Sequence, residues 1–181
     1  SCHGNSDGSA TVSVLGGTSP YSYDWYNVSG QNTGSMVNNL PSGTYGVALM
    51  DSNGCLDSLN VSISEPDALT SSLSNVDNVS CHGNSNGSAT VLVLGGSSPY
   101  SYDWYNVPGQ NTGSTVNNLP SGTYGVALMD SNGCIDSLNV SISEPDALTS
   151  SLSNVDNVSC HGNSDGSATV SVLGGTSPYS Y

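Results

Sequence analysis

Apolar residues recur at every second position in short runs along this chain. Ala89, Val91 and Val93 alternate with Thr90 and Leu92, and Tyr100, Tyr102 and Trp104 with Ser101, Asp103 and Tyr105. Farther on, Tyr124, Val126 and Leu128 fall on one face, and Leu138, Val140 and Ile142 back onto Ser137, Asn139, Ser141 and Ser143. A period of two is what a strand with one buried face requires, because successive side chains point to opposite sides of the sheet. Between the runs lie clusters of residues that tolerate positive φ: Cys81-His82-Gly83-Asn84-Ser85-Asn86-Gly87, Gly95-Gly96-Ser97-Ser98-Pro99 and Asp130-Ser131-Asn132-Gly133. The Asn-Gly pair in the last of these is a strong hairpin signal. Another strand is predicted over residues 68–79, and Asn117-Asn118-Leu119-Pro120-Ser121-Gly122-Thr123 reads as a corner before Tyr124.

The pattern then comes back almost unchanged. Residues 2–80 and 81–159 differ only at Asp7/Asn86, Ser13/Leu92, Thr18/Ser97, Ser29/Pro108, Met36/Thr115 and Leu56/Ile135, which sets a period of 79 residues. Residues 160–181 repeat 2–23 without a change, a hint that two copy types alternate. Such a period suits one small domain per copy and is too long for a solenoid coil. The Ser13/Leu92 exchange marks that position as outward. Each copy is therefore expected to be an all-β, Ig-like β-sandwich of about seven strands, with Trp104 anchoring the core and Tyr124 forming a tyrosine corner. Ser-Glu-Pro at 64–66 and 143–145 ends a strand where a linker is expected. The expected domains are an Ig-like repeat at 1–66 lacking its first strand, a complete repeat at 67–145, and the N-terminal part of a third at 146–181. Because the chain starts and stops inside the pattern, a longer parent array is expected.

Composition narrows the partners. The 181 residues include no Lys, no Arg and fourteen Asp plus Glu, for a formal net charge of −14. Phosphate recognition needs basic side chains to displace counterions, so nucleic acid is excluded, and an anionic membrane surface is disfavoured on the same ground. No stretch of about 18 apolar residues suggests membrane insertion in this segment. Abundant Gly, Ser, Asn and Thr could point to disorder, but the period-two patterning argues for packed strands.

Cysteines stand at 2, 55, 81, 134 and 160, with spacings that alternate between 53 and 26. Regular cysteines in a chain of this kind point to an oxidising compartment. Two pairings are open: 2–55 with 81–134, or 55–81 with 134–160. The phase set by the Ser-Glu-Pro linkers favours the first, so Cys2, Cys55, Cys81 and Cys134 are the expected disulfide residues. Closing that loop contributes up to about 4 kcal/mol in the chain-entropy model.

The ordered set C-H-G-N-S-D-G-S-A-T-V, G-G-T-S-P-Y-S-Y-D-W, N-L-P-S-G-T-Y, D-S-N-G-C and I-S-E-P resembles the SprB-type repeat of Bacteroidetes gliding and cell-surface adhesins. That resemblance implies a giant extracellular protein, exported by the type IX secretion system, whose tandem repeats form a filament used in attachment or gliding. The implied role is structural and non-enzymatic, a segment of a stalk; the alternative is a multivalent module that binds glycans or bundles filaments. Partners are then neighbouring repeats, other filament chains or surface glycans. The resemblance also implies O-glycosylation at D-S-aliphatic sites, here Ser58 and Ser137.

Five further candidates come from the residues themselves. Asn5, Asp7, Glu65 and Asp67 offer oxygen ligands for Ca²⁺ at a repeat junction, although Asp7 becomes Asn86 in the next copy. Asp51-Ser52-Asn53-Gly54 opens like a calcium loop but lacks the remaining ligands, so a plain hairpin turn is the expectation. Tyr21, Tyr23 and Tyr26, next to Trp25, could form a sugar-stacking platform or divide between a core face and an exposed one. Asn-Val-Ser sequons stand at Asn27, Asn60, Asn78, Asn139 and Asn157. His3, His82 and His161 each follow a cysteine inside a turn and read as solvated turn residues. No arrangement of nucleophile, base and acid can be argued from the spacing, so no cofactor other than Ca²⁺ is expected and no catalytic residue is named.

Overall fold

Near-identical copies fold into matching elements in series. The computed structural model describes all residues except 31, 32, 108, 110 and 111; position 108, one of the six that differ between copies, lies outside the described residues. The strands are β1 (Gly8–Thr11), β2 (Ser22–Tyr26), β3 (Met36–Leu40), β4 (Gly43–Met50) and β5 (Leu56–Ile63) in the first copy. The next copy supplies β6 (Thr70–Asp77), β7 (Gly87–Leu94), β8 (Ser101–Tyr105), β9 (Thr115–Leu119), β10 (Gly122–Met129) and β11 (Ile135–Ile142), and the last β12 (Thr149–Asp156) and β13 (Ser167–Leu173). No helix occurs among the described residues, so none is long and apolar enough to cross a membrane.

The chain forms two compact units, one of residues 1–70, 94–100 and 129–135, the other of residues 71–93, 101–128 and 136–181. Strands β6 to β11 pair in the orders β6-β7-β9 and β11-β10-β8. First, second and fourth strands share one sheet; third, fifth and sixth share the other. That is the strand order of an Ig-like sandwich without its D edge strand, so six strands fill the two sheets where the sequence pattern suggests about seven. The first copy has β2-β4-β5 and β1-β3, and the last has β12 antiparallel to β13.

The fourth strand of each copy replaces part of the expected corner, and a bulge explains why it escapes the period-two rule. Gly8 lies opposite Leu40 and Ser9 opposite Asn38, which leaves Asn39 as an extra residue with φ of 58°. Asn118 has the same φ in β9. Asn visits this left-handed region more readily than most residues, and the inserted residue lets Val116 and Leu119, three apart, both face the core.

The core of the second unit gathers Val79, Ala89, Val91, Trp104, Val116, Leu119, Tyr124, Val126, Leu128, Val140 and Ile142. Burial follows the predicted faces: Leu128 and Val126 are fully buried, Leu138 is half-buried, and Leu92 is outward. Trp104 is buried and satisfies its ring N–H by donating to the Gly113 carbonyl at 2.9 Å. The Tyr124 hydroxyl donates to the Pro120 carbonyl at 2.8 Å, as Tyr45 does to Pro41 at 2.7 Å, so both copies carry the tyrosine corner.

Candidate functional site

The two turns that hold the cysteines are built by carboxylates. In the hairpin between β10 and β11, Asp130 is buried, and its Oδ1 accepts from the backbone N–H of Asn132 and of Cys134, both at 2.9 Å. Its Oδ2 accepts from Ser97 N–H at 2.8 Å, tying the hairpin to the Gly-Gly loop. Asp51 makes the same three bonds to Asn53, Cys55 and Thr18. Hydrogen bonds from Cys55, Thr18 and Asn53 hold the Asp51 carboxyl below its usual pKa. For Asp130, burial pushes upward but the bonds from Cys134, Ser97 and Asn132 outweigh it, and its pKa is lowered too. The sequence reading treats 51–54 as a hairpin turn and misses this use of the aspartate; an Asp followed two and four residues later by N–H donors is the signal that could have revealed it.

At the far end of each copy, a glutamate holds the Cys-His-Gly turn. Glu65 accepts from Gly4 N–H and, at 2.8 Å, from the Ser42 hydroxyl. His3 Nδ1 stands 3.7 Å from Glu65 and 3.1 Å from the Pro66 carbonyl. Glu144 repeats the arrangement with Gly83, and His82 lies 3.6 Å away. The Gly4 and Ser42 bonds, with the nearby His3, hold Glu65 below its usual pKa; Gly83, Ser121 and His82 do so for Glu144. Thus His3 and His82 are exposed turn residues, as expected, that also lie beside the linker acids Glu65 and Glu144.

These two anchors decide the disulfide. Cys55 directly precedes β5, whereas the Cys2 turn is held by Glu65, just past its end. An eight-residue strand spans roughly 26 Å, and a disulfide needs Cα atoms within about 7 Å. The same connectivity recurs around β11, with Cys134 before it and Glu144 after it. The expected pairs Cys2–Cys55 and Cys81–Cys134 are therefore corrected: the bond joins Cys2 to Cys134, with Cα atoms 5.6 Å apart, and Cys55, Cys81 and Cys160 are exposed thiols. Loop-closure entropy depends on sequence separation alone and is blind to which end of a sandwich a turn occupies. Beside the bond, Asn132 donates to the Ser1 carbonyl at 3.0 Å and to Ser97 Oγ at 2.9 Å.

The other candidates fall as follows. Asn5, Asp7 and Glu65 line one cleft, and Asp67 is not among its lining residues. Both Glu65 oxygens are engaged, and the Asp67 carbonyl accepts from Gly96 N–H at 2.8 Å. Among the described residues no three His, Cys, Asp or Glu side chains converge as a metal set. The Asp7/Asn86 exchange has a structural account: Asn86 Oδ1 accepts from Ser80 N–H at 3.1 Å, and Asp165 accepts from Ser159 N–H at the same distance, so either residue closes the turn. Tyr23 packs with Trp25 against the first core, Tyr21 donates its hydroxyl to the Gly16 carbonyl at 2.8 Å, and Tyr26 points to the opposite, exposed face. The three tyrosines thus do not form one platform. Ser58 and Ser137 are exposed on their strands.

With this geometry in view, the match to known families is direct. The SprB repeat model matches residues 1–35, 73–109 and 152–181, more than half of the chain. The chain belongs to the SprB repeat family. Each match takes in the Cys-His-Gly turn and the Gly-Gly loop after it, so the turn anchored by Glu65 and Glu144 lies inside the SprB pattern, while the second hairpin cysteine, Cys134, lies outside the matched segments. No curated protein matches this chain. Among solved structures, one titled "Structure of amphioxus IgVJ-C2 molecule" is similar with 15% identity and a TM-score of 0.39, covering 79% of this chain and 99% of that one.

Proposed function

We propose that this chain is a load-carrying segment of an extracellular surface filament or adhesin stalk, in which the repeated sandwich itself is the functional product. The observation that carries this reading is the disulfide between cysteines of successive SprB copies, 132 residues apart in sequence. A bond inside one copy would stabilise a domain; a bond from one copy to the next resists the separation of neighbours, which is what a stalk under tension needs. The absence of basic residues and the net charge of −14 support a surface that stays soluble and avoids anionic partners. Copies that differ at six positions in 79 fit a role that depends on repetition and not on a unique site.

The test is immunogold imaging of intact cells with an antibody raised against this chain. Gold strung along thin external fibres supports the stalk, and label confined to the cell interior overturns it. A glycan array probed with the same chain separates the stalk from a glycan-binding module: a blank array is the expected result.

A further inference from the structure

The observed bond has a stagger. Cys2 belongs to the first copy and Cys134 to the second, and their separation of 132 residues exceeds by one 79-residue period the 53 that separate the two cysteines of a copy. Moved along the sequence by whole periods, the same rule pairs Cys81 and Cys160 with hairpin cysteines 132 residues later, and Cys55 with a turn cysteine 132 residues earlier. None of those positions falls within residues 1–181, and Cys55, Cys81 and Cys160 are the three exposed thiols. Pairing inside each copy would leave only Cys160 over.

The local structure at each free thiol matches that at its bonded counterpart. Asn84 and Asn163 N–H donate to the carbonyls of Cys81 and Cys160 at 3.1 Å, as Asn5 does to Cys2. Gly4, Gly83 and Gly162 share a left-handed φ of 77°, 77° and 85°. On the hairpin side, Asp51 presents Cys55 through the three bonds by which Asp130 presents Cys134. The free cysteines are therefore already set in the geometry that the bonded ones use.

We propose that each SprB copy of the array is bonded to the next by a disulfide between its Cys-His-Gly turn and the following copy's hairpin, so that Cys55, Cys81 and Cys160 are half-bonds of a ladder. The proposal rests on the reading of the chain as a tandem array. Formation of each rung joins two thiols into one S–S bond, and their two protons and two electrons pass to a disulfide oxidant, which is reduced to a dithiol.

The experiment uses this chain and the same chain carried on past Tyr181 by a second copy of residues 24–66, which completes the third repeat because Tyr181 is the counterpart of Tyr23. Thiols are alkylated, and the unreduced protein is cut with chymotrypsin, since the chain has no Lys or Arg for trypsin. Chymotrypsin cuts after Leu56 but passes Ile135, so the two hairpin cysteines leave on fragments of different length. In the 181-residue chain, Cys2 is expected on the Cys134 fragment, with Cys55, Cys81 and Cys160 alkylated. In the lengthened chain, alkylation of Cys81 falls at least tenfold, and its fragment is joined to the added hairpin. Cys81 joined to Cys134, or still fully alkylated in the lengthened chain, overturns the ladder. The map is read without reference to fibres, so gold-labelled fibres with bonds inside copies would sink the ladder alone, and staggered bonds without fibres would sink the stalk alone.

Discussion

The first and second copies share nearly every core residue yet pack them differently. Ala89 is fully buried where Ala10 keeps 9% of its surface, and Leu128 is fully buried where Leu49 is half-exposed. Val140 and Ile142 are buried, whereas Val61 and Ile63 only flank the first core. The difference lies in one segment. Val76 and Val79 pack into the second core, and residues 67–70 run over the Gly-Gly loop, where Gly96 N–H donates to the Asp67 carbonyl at 2.8 Å and a side chain on Gly95 would collide with the Ala68 carbonyl. At the first Gly-Gly loop a side chain on Gly16 would meet nothing, and Leu49 lines an open cleft with Val14, Leu15 and Tyr21. The segment that carries Val76 and Val79 thus covers apolar surface of the second core that would otherwise face water.

The largest expected effect separates two residues with the same neighbours in sequence. Cys2→Ser removes a bond closing a 132-residue separation, up to about 5 kcal/mol in the chain-entropy model. Cys81→Ser removes only an exposed thiol and should stay within about 0.5 kcal/mol. Equal shifts in urea midpoint would break the comparison. Next, Leu128→Ala should destabilise by about 3 kcal/mol and Leu49→Ala by less than half as much, because a cavity is penalised only where the site is closed; matched denaturation curves show whether the gap exists.

Acid should act on both copies alike. The lowered pKa values of Asp51 and Asp130 mean that their stabilisation is complete above the ordinary value of 3.8 and is lost as pH falls below it. Melting temperature should therefore drop with pH in that range, with the drop reduced comparably in Asp51→Asn and Asp130→Asn; a marked asymmetry would mean that the turns are not equivalent. Smallest of all, Leu92→Ser restores the residue of the first copy at an outward position and should change stability by less than about 0.5 kcal/mol.

Much of this was legible in the sequence because it follows from period and turn chemistry. The alternation at Tyr124, Val126 and Leu128 places β10 and its buried face, and the Ser13/Leu92 exchange identifies an outward position before any coordinates are known. The fourth strand was not legible, since the extra residue at Asn39 or Asn118 breaks the period on which the reading depends. The disulfide was misread for another reason: spacing says which cysteines are near in sequence, while the anchoring of Gly4 by Glu65 and of Cys134 by Asp130 says which end of a sandwich each occupies. The aspartates of the hairpins were seen as turn formers, but their grip on the Gly-Gly loop depends on contacts 33 residues apart, Ser97 to Asp130 and Thr18 to Asp51.

The segment ahead of the Cys-His-Gly turn covers the core of the second copy through Val76 and Val79. The most direct measurement places a second copy of residues 67–79 immediately before Ser1, the position that the repeat assigns to it, and compares Leu49→Ala in the chain with and without the addition. If the same segment covers the first core, the penalty for Leu49→Ala rises to match that of Leu128→Ala. A penalty unchanged by the added segment would contradict it.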